Sequence, residues 1–457
     1  MRKYFGTDGI RRIANSELTP ELVYRVAKAG AYVLSKHTNH TPTIFIGRDT
    51  RISGTLIEAA MTAGFLSYGA NVKQLGVIPT PGVAYLTKRY KADASVVISA
   101  SHNTYEFNGI KFFSNKGMKI PDTLEEEIEE VMDSGELEKL TAINDKIGVA
   151  ENREDLLEEY VYFFRKNFEE ELENLDKEDF TVALDTANGA TFKIAEKVFN
   201  KLGIKHFIIN NEPNGININE NCGSTHLEGL KKFVVENKCN LGIAYDGDGD
   251  RCLAVNEKGE VVDGDLIMAV ISNYLKEKGK LNKDTLVATV MSNLGLRKYA
   301  DKNGIDFKAT KVGDRYVLEE MLKNGYNLGG EQSGHIIMLD YNPTGDGILT
   351  SLMLIKIMLE KKLSISKLCD IIQIYPQVLV NAKVSSEKKY DYEKDTEIKE
   401  EIEKLEKDFS GNGRVLIRPS GTEPLVRVMV EAATEEQCET YVHRIADVVK
   451  AEMGSAE

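Results

Sequence analysis

Short apolar runs that stop at small polar residues recur along the chain, and three of them lead into helical segments. The first run covers residues 43–47, the second 180–185 and the third 285–290, and each precedes a polar loop and a helical pattern that ends at a glycine. A strand, a loop and a helix make up the repeating unit of a parallel sheet. Three such units at wide and fairly regular spacing predict three similar α/β domains.

The C-terminal part of the chain has a different pattern. An apolar run at 374–380 and a charged tract at 385–408 precede a strand pattern at 425–431 and a helical pattern at 435–451. This order predicts a smaller α+β module. Charged helical patterns and changes of composition divide the whole chain, so we predict four domains with the bounds 1–155, 156–251, 252–368 and 369–457.

The composition narrows the function classes. The 457 residues contain 58 Lys and Arg against 72 Asp and Glu, and the net charge of −14 repels nucleic acid and anionic membranes. The chain shows no apolar stretch of about 20 residues and no signal-peptide pattern. Its five cysteines form no C-x-x-C pair. We expect a cytoplasmic protein without disulfides or zinc that acts on a small molecule, and the sequence leaves the oligomeric state open, a homodimer included.

A strand pattern at residues 94–98 delivers the first candidate chemical group. It is rich in β-branched residues and stops at the small polar sequence Ser99-Ala100-Ser101-His102-Asn103. A buried strand that ends in this way brings a side chain to the edge of a sheet, and here that side chain is Ser101. A hydroxyl at a strand end also caps or forms turns, so both interpretations stay open at this point.

Three aspartates at alternate positions form the clearest candidate metal site. Asp246, Asp248 and Asp250 follow the apolar run 241–245 and are separated by glycines, which let the backbone wrap closely around an ion. An EF-hand loop is excluded because Arg251 stands where that loop needs glycine and both flanks predict strands. Three carboxylates leave coordination positions for a substrate or phosphate oxygen, as magnesium prefers.

Three further groups of residues carry weaker signals. The segment 418–424, with Arg427 close behind, offers guanidinium and hydroxyl groups to a phosphate, although a plain turn explains it equally well. Glu331 and Ser333 suit the hydroxyls of a sugar, while His335 serves either as a proton shuttle or as a structural residue. Isolated residues that can contact an anion are Lys111, Arg11, Gly313, Asp314 and Arg315.

Five motifs occur in the order expected for one family. They are Gly6-Thr7-Asp8-Gly9-Ile10-Arg11, Ser99-Ala100-Ser101-His102-Asn103, the loop 246–251, Glu331-Gln332-Ser333-Gly334-His335 and the loop 418–424. Together they resemble the α-D-phosphohexomutase superfamily over essentially the whole chain. The resemblance implies an α/β protein with three similar α/β domains with mixed sheets and a smaller C-terminal α+β domain around a central cleft, in agreement with the repeat described above.

The resemblance also implies a role for each matching residue. Ser101 matches the phosphorylated serine, and a phosphoryl oxygen on it joins Asp246, Asp248 and Asp250 as a magnesium ligand. The residues with implied catalytic roles are Ser101, Lys111, His335, His102, Arg251 and Arg11, with Lys111 and His335 as alternative acid/base groups. The residues implied to bind substrate are Glu331, Ser333, Gly313 and Asp314 around the sugar, and Arg418, Ser420, Gly421, Thr422 and Arg427 in the phosphate-binding loop.

Weaker cues favour the branch of this family that acts on glucosamine phosphate. They are the early start of the first motif, the sequence 109–113, the sequence 222–226 and Gln332 within the sugar loop. The implied activity exchanges glucosamine 6-phosphate and glucosamine 1-phosphate through phosphorylated Ser101, with one Mg²⁺ per chain and glucosamine 1,6-bisphosphate as intermediate and activator. It would feed the synthesis of UDP-N-acetylglucosamine and cell-wall precursors.

Two residues depart from the family pattern. Thr104 stands where proline often follows Ser-His-Asn, and Arg12 stands where glycine often follows Gly-Ile-Arg. Loss of a proline removes a fixed torsion, so we expect a less preorganised serine loop. Neither departure replaces a group that performs chemistry.

Three alternative functions accompany this expectation. The alternative within the phosphohexomutases is a phosphomannomutase or a phosphoglucomutase. Relative kcat/KM values on a panel of sugar phosphates would distinguish them. Outside this family, a metal-dependent sugar phosphatase would use the same serine and aspartates but would release inorganic phosphate. A catalytically inactive sugar-phosphate-binding protein is disfavoured because no residue with a chemical role is missing.

Overall fold

The structure, a computed structural model, describes residues 3–6, 8–385, 387–420 and 424–454. Their contacts divide the chain into two units, the first of residues 1–291 and 305–371 and the second of residues 292–304 and 372–457. The first unit contains three sheets and the second contains one. Among the described residues, no helix is long and apolar enough to cross a membrane.

Six strands build the first sheet, namely β1 (Ile10–Ile13), β2 (Thr43–Arg48), β3 (Asn71–Val77), β4 (Ala94–Ile98), β5 (Phe107–Ser114) and β6 (Ala150–Asn152). Their order across the sheet is β1-β5-β4-β2-β3-β6, with β2 parallel to both β3 and β4 and with β5 antiparallel to β4. The helices of this region are α1 (Pro20–Ser35), α2 (Gly54–Tyr68), α3 (Thr80–Tyr90) and α4 (Asp122–Asp133). The predicted strand at 43–47 and its following helix are confirmed.

Five strands build the second sheet, namely β7 (Thr181–Asp185), β8 (Lys205–Ile209), β9 (Leu241–Tyr245), β10 (Cys252–Asn256) and β11 (Val261–Val262). The order is β11-β10-β9-β7-β8, with β7 parallel to β8 and β9 and with β10 antiparallel to β9. The helices are α5 (Leu157–Glu173), α6 (Ile194–Lys201) and α7 (Glu228–Glu236). The charged helical pattern after residue 154 is α5, and its buried face is aromatic, with Tyr160, Phe163, Phe164 and Phe168.

Four strands build the third sheet, namely β12 (Thr285–Thr289), β13 (Asp306–Thr310), β14 (Leu328–Gly330) and β15 (Ile336–Met338). The order is β13-β12-β14-β15, with β12 parallel to β13 and β14 and with β15 antiparallel to β14. The helices along this stretch are α8 (Gly264–Glu277), α9 (Leu294–Lys302), α10 (Asp314–Asn324), α11 (Gly347–Lys361) and α12 (Ile365–Cys369). By its contacts, α9 belongs to the second unit.

The three sheets of the first unit share one core order. The equivalent strands are β3-β2-β4-β5 in the first sheet, β8-β7-β9-β10 in the second and β13-β12-β14-β15 in the third. In each set the first two pairs are parallel and the last pair is antiparallel. Parallel neighbouring strands need a long crossover connection, so a helix follows β2, β7 and β12 in the chain. The prediction of three similar α/β domains with mixed sheets is confirmed, while the exact domain bounds stay predictions.

The second unit contains a three-stranded antiparallel sheet. Its strands are β16 (Gln377–Lys383), β17 (Arg414–Pro419) and β18 (Leu425–Glu431), in the order β16-β18-β17. Its helices are α13 (Thr396–Phe409) and α14 (Glu435–Met453), together with α9. The charged tract at 385–408 contains α13, which buries Ile398 and Leu405 in the core of this unit. The smaller C-terminal α+β module is confirmed.

Candidate active site

The third strand of each repeat in the first unit ends at a candidate loop. β4 precedes the Ser101 loop, β9 precedes the loop 246–250, and β14 precedes the loop 331–335. Proteins with open α/β sheets bind ligands at the carboxyl ends of their strands. In each of the three similar domains, a candidate loop lies at the carboxyl end of the equivalent strand. The loops 246–250 and 331–335 contribute Asp250, Glu331 and His335 to the lining of one cleft, which Lys111, Arg251 and Asp314 also line.

Ser101 lies directly against the aspartate loop. Its backbone has a φ of 51°, in the left-handed region, and the residue is 2% exposed. Its Oγ donates a hydrogen bond to Oδ2 of Asp246 at 2.7 Å and lies 3.4 Å from Nδ1 of His102. The hydroxyl at this strand end therefore points at an acidic group 145 positions away in the chain instead of capping its own backbone.

The three aspartates fit a divalent cation. One ligand oxygen from each of Asp246, Asp248 and Asp250 lies within 4.8 Å of the others. Oδ2 of Asp248 accepts a hydrogen bond from Thr80 Oγ1 at 2.7 Å. Oδ1 of Asp248 and Oδ1 of Asp250 are buried and have no hydrogen-bond partner among the described residues. Buried unpaired carboxylate oxygens are costly, and a hard cation such as Mg²⁺ would satisfy them.

The surroundings shift the pKa values of two carboxylates of this loop in opposite directions. Burial raises the pKa of Asp246 well above its usual range, and the neighbouring Asp250 and Asp248 raise it further. Burial also acts to raise the pKa of Asp250, but His335 and Lys111 outweigh it and the pKa of Asp250 is lowered. A bound cation would offset the mutual repulsion that contributes to the raised pKa of Asp246.

Lys111 is enclosed by carboxylates. Its Nζ lies 3.2 Å from Oδ2 of Asp8, 3.3 Å from Oδ2 of Asp248 and 3.9 Å from Oδ2 of Asp250. Burial acts to lower the pKa of Lys111, but the three carboxylates outweigh it and raise the pKa above its usual value. A lysine held in its charged form donates hydrogen bonds and compensates negative charge, and it does not accept a proton.

His335 is a buried histidine with two distinct ring nitrogens. Nδ1 lies 3.5 Å from Oδ2 of Asp250, and Nε2 accepts the backbone N–H of Gly345 at 3.0 Å. That bond needs a lone pair on Nε2, so the ring proton lies on Nδ1. Burial acts to lower the pKa of His335, but Asp250, Asp314 and Glu331 raise it to about 9. A buried imidazole with one ring nitrogen beside a carboxylate suits a general acid or base.

Two arginines and a histidine flank the serine loop. Nη1 of Arg251 lies 3.2 Å from Nδ1 of His102. Burial, together with Arg251 and Arg11, lowers the pKa of His102 to about 4, so this ring is neutral at pH 7 and accepts the hydrogen bond. Arg11 donates to Oδ1 of Asn103 at 3.2 Å and forms an ion pair with Asp8 at 3.1 Å. Both guanidinium groups are placed to compensate an anion at the serine loop.

The loop 331–335 keeps polar groups available for a ligand. Oε1 of Glu331 accepts the backbone N–H of Gly313 at 3.1 Å, and burial raises the pKa of this carboxyl. Oγ of Ser333 is buried without a hydrogen-bond partner among the described residues. Gln332 is used internally, because its Nε2 donates to Oδ2 of Asp263 at 3.2 Å. An unpaired hydroxyl beside a carboxylate suits the hydroxyl groups of a sugar.

The predicted phosphate loop lies in the second unit. Arg418 and Arg427 are directly opposite each other in the antiparallel pair β17–β18. Burial and the charge of Arg427 lower the pKa of Arg418. Two like charges opposite each other are unfavourable, and a bound anion relieves their repulsion. Ser420 is buried and its carbonyl oxygen accepts from Nζ of Lys389 at 2.8 Å, whereas Gly421 and Thr422 lie outside the described residues.

The structure adds residues that sequence reasoning missed. Asp8 pairs with Lys111, and Thr80 binds Asp248 across 168 positions of the chain. Arg51 and Asn219 both donate to backbone carbonyls of the serine loop. Asp8 lies within a recognised motif and Arg51 lies in a polar loop after a strand, so the sequence offered a reason to consider both. It offered none for Thr80 and Asn219, because their partners are distant in the sequence.

Four family models match the chain in order. They are described as phosphoglucomutase/phosphomannomutase alpha/beta/alpha domains I, II and III and C-terminal domain, and they match residues 2–139, 158–259, 263–375 and 379–448. The matched segments cover most of the chain. Each of the four contains one of the sheets or the main part of one.

Full-length relatives are also similar to this chain. A phosphoglucosamine mutase of Clostridium acetobutylicum is 54% identical, covering 98% of this chain and 99% of its own length. Proteins of the same description from Ruminiclostridium cellulolyticum and Acetivibrio thermocellus are 53% and 52% identical, covering 95% and 99% of this chain and 96% and 100% of their own lengths.

Solved structures share the fold at low sequence identity. A putative phosphomannomutase from Thermus thermophilus superposes with a TM-score of 0.79 at 21% identity, covering 98% of this chain and all of its own. An N-acetylphosphoglucosamine mutase from Aspergillus fumigatus, in complex with GlcNAc-6P and magnesium, superposes with a TM-score of 0.68 at 17% identity, covering 99% of this chain and 96% of its own.

Proposed function

The chain belongs to the phosphoglucomutase/phosphomannomutase family, and on that premise we propose that it interconverts glucosamine 6-phosphate and glucosamine 1-phosphate. The observation that carries the proposal is the contact of the Ser101 hydroxyl with Asp246 at 2.7 Å, inside a buried set of three aspartates. A hydroxyl that becomes phosphorylated there lies beside ligands for a cation. The full-length relatives named phosphoglucosamine mutase support the choice of the amino sugar.

The reaction consists of two phosphoryl transfers. Phosphorylated Ser101 gives its phosphoryl group to the C1 hydroxyl of glucosamine 6-phosphate, so the P–O bond to serine breaks and the P–O bond to C1 oxygen forms. The proton of that hydroxyl passes to a base, the departing Ser101 oxygen takes up a proton and becomes a hydroxyl again, and the product is glucosamine 1,6-bisphosphate. After the intermediate turns over in the cleft, its 6-phosphoryl group returns to Ser101 and glucosamine 1-phosphate leaves.

Charge compensation and alignment do most of the catalytic work in phosphoryl transfer, because the transition state is loose and carries charge on the equatorial oxygens. Asp246, Asp248 and Asp250 would hold one Mg²⁺ per chain, with a phosphoryl oxygen on Ser101 as a further ligand. Bound there, Mg²⁺ would supply Lewis-acid stabilisation of that charge. Lys111 supplies a fixed positive charge at the same carboxylates.

His335 is the better of the two acid/base candidates. Lys111 is held in its charged form by three carboxylates, which leaves it without the lone pair that a base needs. The pKa of His335 is raised only to about 9, so its neutral form, with a lone pair on Nε2 that can take a proton from a substrate hydroxyl, is reached at a lower pH than neutral Lys111. A positioned acid or base of this kind contributes roughly 10² to 10⁴ in rate.

Two loops are proposed to hold the substrate. Glu331 and Ser333 bind sugar hydroxyls, with Asp314 and the Gly313 backbone beside them in the cleft. The loop that contains Arg418, Ser420, Gly421, Thr422 and Arg427 binds the phosphate that does not react, and it accepts either phosphate of the bisphosphate. Arg11, His102 and Arg251 complete the charge environment of the transferred group.

A coupled assay tests the proposal. The purified chain should convert glucosamine 6-phosphate into glucosamine 1-phosphate in the presence of Mg²⁺, and a 1,6-bisphosphate should activate it. Higher kcat/KM with mannose or glucose phosphates would reassign the chain within the family. Release of inorganic phosphate in place of the isomer would identify a phosphatase and overturn the mutase proposal.

A further inference from the structure

The backbone of Ser101 adopts a conformation that needs support. Its φ of 51° lies in the left-handed region, which residues with a Cβ seldom adopt. The residue belongs to a short loop between β4 and β5, so no regular hydrogen-bond ladder fixes it. Strained conformations at functional sites persist where the surroundings over-determine them. The question is which groups hold this one.

The first support is a closed ring of hydrogen bonds through a buried ion pair. The N–H of Ser101 donates to Oγ of Ser99 at 2.9 Å, and Oγ of Ser99 donates to Oδ2 of Asp49 at 2.7 Å. Nε of Arg51 donates to the same Asp49 oxygen at 2.8 Å, and its Nη2 donates to the carbonyl oxygen of Ser101 at 3.1 Å. Both side chains of the ion pair are fully buried. One Asp–Arg pair thus holds both backbone polar groups of Ser101.

The second support comes from the neighbouring domain. Nδ2 of Asn219 donates to the carbonyl oxygens of Ser101 and of Asn103, both at 2.8 Å. Nη2 of Arg51 donates to the Asn103 carbonyl as well, at 2.8 Å, and its Nη1 donates to the carbonyl of Thr104. Three carbonyl oxygens of the loop therefore accept from two buried side chains, which we call the carbonyl clamp (Arg51 and Asn219).

The clamp joins the serine loop to the aspartate loop. A Cβ on Gly247 would lie 2.5 Å from the carbonyl oxygen of Ser101 and 2.7 Å from Nδ2 of Asn219, so glycine is required between Asp246 and Asp248. The carbonyl that the clamp holds is therefore also the atom against which the aspartate loop packs. A shift of that carbonyl would change the distance from Ser101 Oγ to Asp246.

We propose that Arg51 and Asn219 are positioning residues, which fix Ser101 so that its Oγ, and the phosphoryl group it carries, is aligned with the aspartates and the incoming sugar hydroxyl. The inference rests on the proposed function. Alignment within less than 1 Å is what phosphoryl transfer demands, and a displacement of about 1 Å costs on the order of 10²-fold in rate. Substrate binding depends on other loops, so the clamp acts on kcat and leaves KM unchanged.

Asn219→Ala is the test, because it removes one half of the clamp while Arg51 still bonds both shared carbonyls. Turnover is divided by the amount of phosphorylated Ser101, measured from the intact mass of the protein. We expect kcat per phosphorylated chain to fall about 10- to 100-fold with KM within about twofold of wild type. We also expect a larger share of phosphoryl groups lost to water as inorganic phosphate.

Asn217→Ala is the matched control. Asn217 lies in the same loop, and its side chain bonds the backbone of Asn214 and Glu212 without touching the serine loop. It should retain wild-type kcat. A merely structural role for Asn219 predicts a lower melting temperature but an unchanged kcat per phosphorylated chain and an unchanged share of hydrolysis, and that result would overturn the proposal.

A second variant covers the case in which Asn219→Ala does not fold. Asn219→Leu has a similar shape but neither a donor nor a charge, and it should show the same loss of kcat. If neither variant folds, the clamp is a folding requirement and the positioning proposal is wrong. Failure of the proposed function is distinguishable, because wild-type chain would then show no mutase activity, whereas the clamp is still measured by the rate at which glucose 1,6-bisphosphate phosphorylates Ser101 in the wild type and in Asn219→Ala.

Discussion

The Ser101 loop and the loop 331–335 both contact the aspartate loop but differ in how their polar groups are satisfied. In the serine loop, three backbone carbonyls accept hydrogen bonds from buried Arg51 and Asn219. In the loop 331–335, Oγ of Ser333 is buried without a partner among the described residues. The first loop is complete before any ligand arrives, whereas the second leaves a polar group to be completed by one.

This difference follows from the two tasks. A group that receives and donates a phosphoryl must stay in one place through both transfers, so its backbone hydrogen bonds are made within the protein. A loop that selects a sugar gains affinity from hydrogen bonds that the free protein lacks, and an unpaired buried hydroxyl provides that gain. Changes to the groups that support the first loop should therefore appear in kcat, and changes to the proposed sugar-binding groups Glu331 and Ser333 of the second should appear in KM.

Removal of the serine hydroxyl should have the largest effect. Ser101→Ala deletes the proposed phosphoryl carrier, and loss of a covalent catalytic group costs at least about 10⁴-fold in kcat. Intact-mass analysis should show no phosphorylated chain after incubation with a 1,6-bisphosphate. Ser114→Ala, a serine at the end of β5 that bonds Met118, is the control and should behave as wild type. Normal turnover of Ser101→Ala would end the phosphoserine mechanism.

Replacement of one aspartate should have the second largest effect on kcat. Asp248→Asn removes a charge from the proposed Mg²⁺ site but keeps an acceptor for Thr80. Because Lewis-acid stabilisation contributes several kcal/mol, kcat should fall about 10³-fold. Activity measured against Mg²⁺ concentration checks this, and wild-type enzyme treated with a chelator should recover fully on addition of Mg²⁺. An unchanged Mg²⁺ dependence in the variant would remove Asp248 from the site.

The local patterns of the chain predicted its strands and the clustering of Asp246, Asp248 and Asp250. The strand expected at 94–98 is β4 and the strand expected at 425–431 is β18, with the same bounds. Runs of β-branched residues between polar residues determine a buried strand locally, with little influence from the rest of the chain. The alternating aspartates were visible for the same reason, since their spacing alone brings the carboxylates together.

The contacts that support Ser101 could not be predicted, because they join residues that are distant in the sequence. Asn219 bonds the Ser101 carbonyl across 118 positions and Arg51 across 50. The sequence led us to expect a less preorganised loop from Thr104 in place of proline. In the structure the Thr104 carbonyl accepts a hydrogen bond from buried Arg51. No local sequence pattern predicts this restraint on the serine loop. The sequence repeat is visible at β2, β7 and β12. The candidate site residues follow the neighbouring strands β4, β9 and β14.

Removal of the acid/base candidate comes third. His335→Asn should lower kcat about 10²-fold, since general acid/base catalysis contributes at least that much. The pKa of His335 is raised to about 9, so its protonated form is present below that pH and is lost above it. A base acts through its neutral form, so the wild-type kcat profile should show an ascending limb that levels off near pH 9, and this limb should be absent from the variant. The same limb in both proteins would assign the titration to another group.

A smaller effect is expected from the hydroxyl beneath the serine loop. Ser99→Ala removes the acceptor of the Ser101 N–H and a donor to Asp49 in a buried site. The free energy of unfolding should fall by about 1–3 kcal/mol, as it does when buried polar groups lose a partner. Thermal unfolding gives this change, and kinetics should show a lower kcat with KM unchanged. A rise in KM alone would contradict the difference between the two loops.

The smallest change comes from deletion of the corresponding hydroxyl in the other loop. Ser333→Ala removes the same atoms as Ser99→Ala, but from an oxygen that has no partner among the described residues. Unfolding free energy should stay within about 0.5 kcal/mol of wild type, because no hydrogen bond of the free protein is lost. KM for glucosamine 6-phosphate should rise about tenfold, the equivalent of one hydrogen bond to the sugar. If Ser333→Ala instead destabilises the protein and leaves KM unchanged, the loop 331–335 is a structural element like the serine loop, and the division of tasks between them fails.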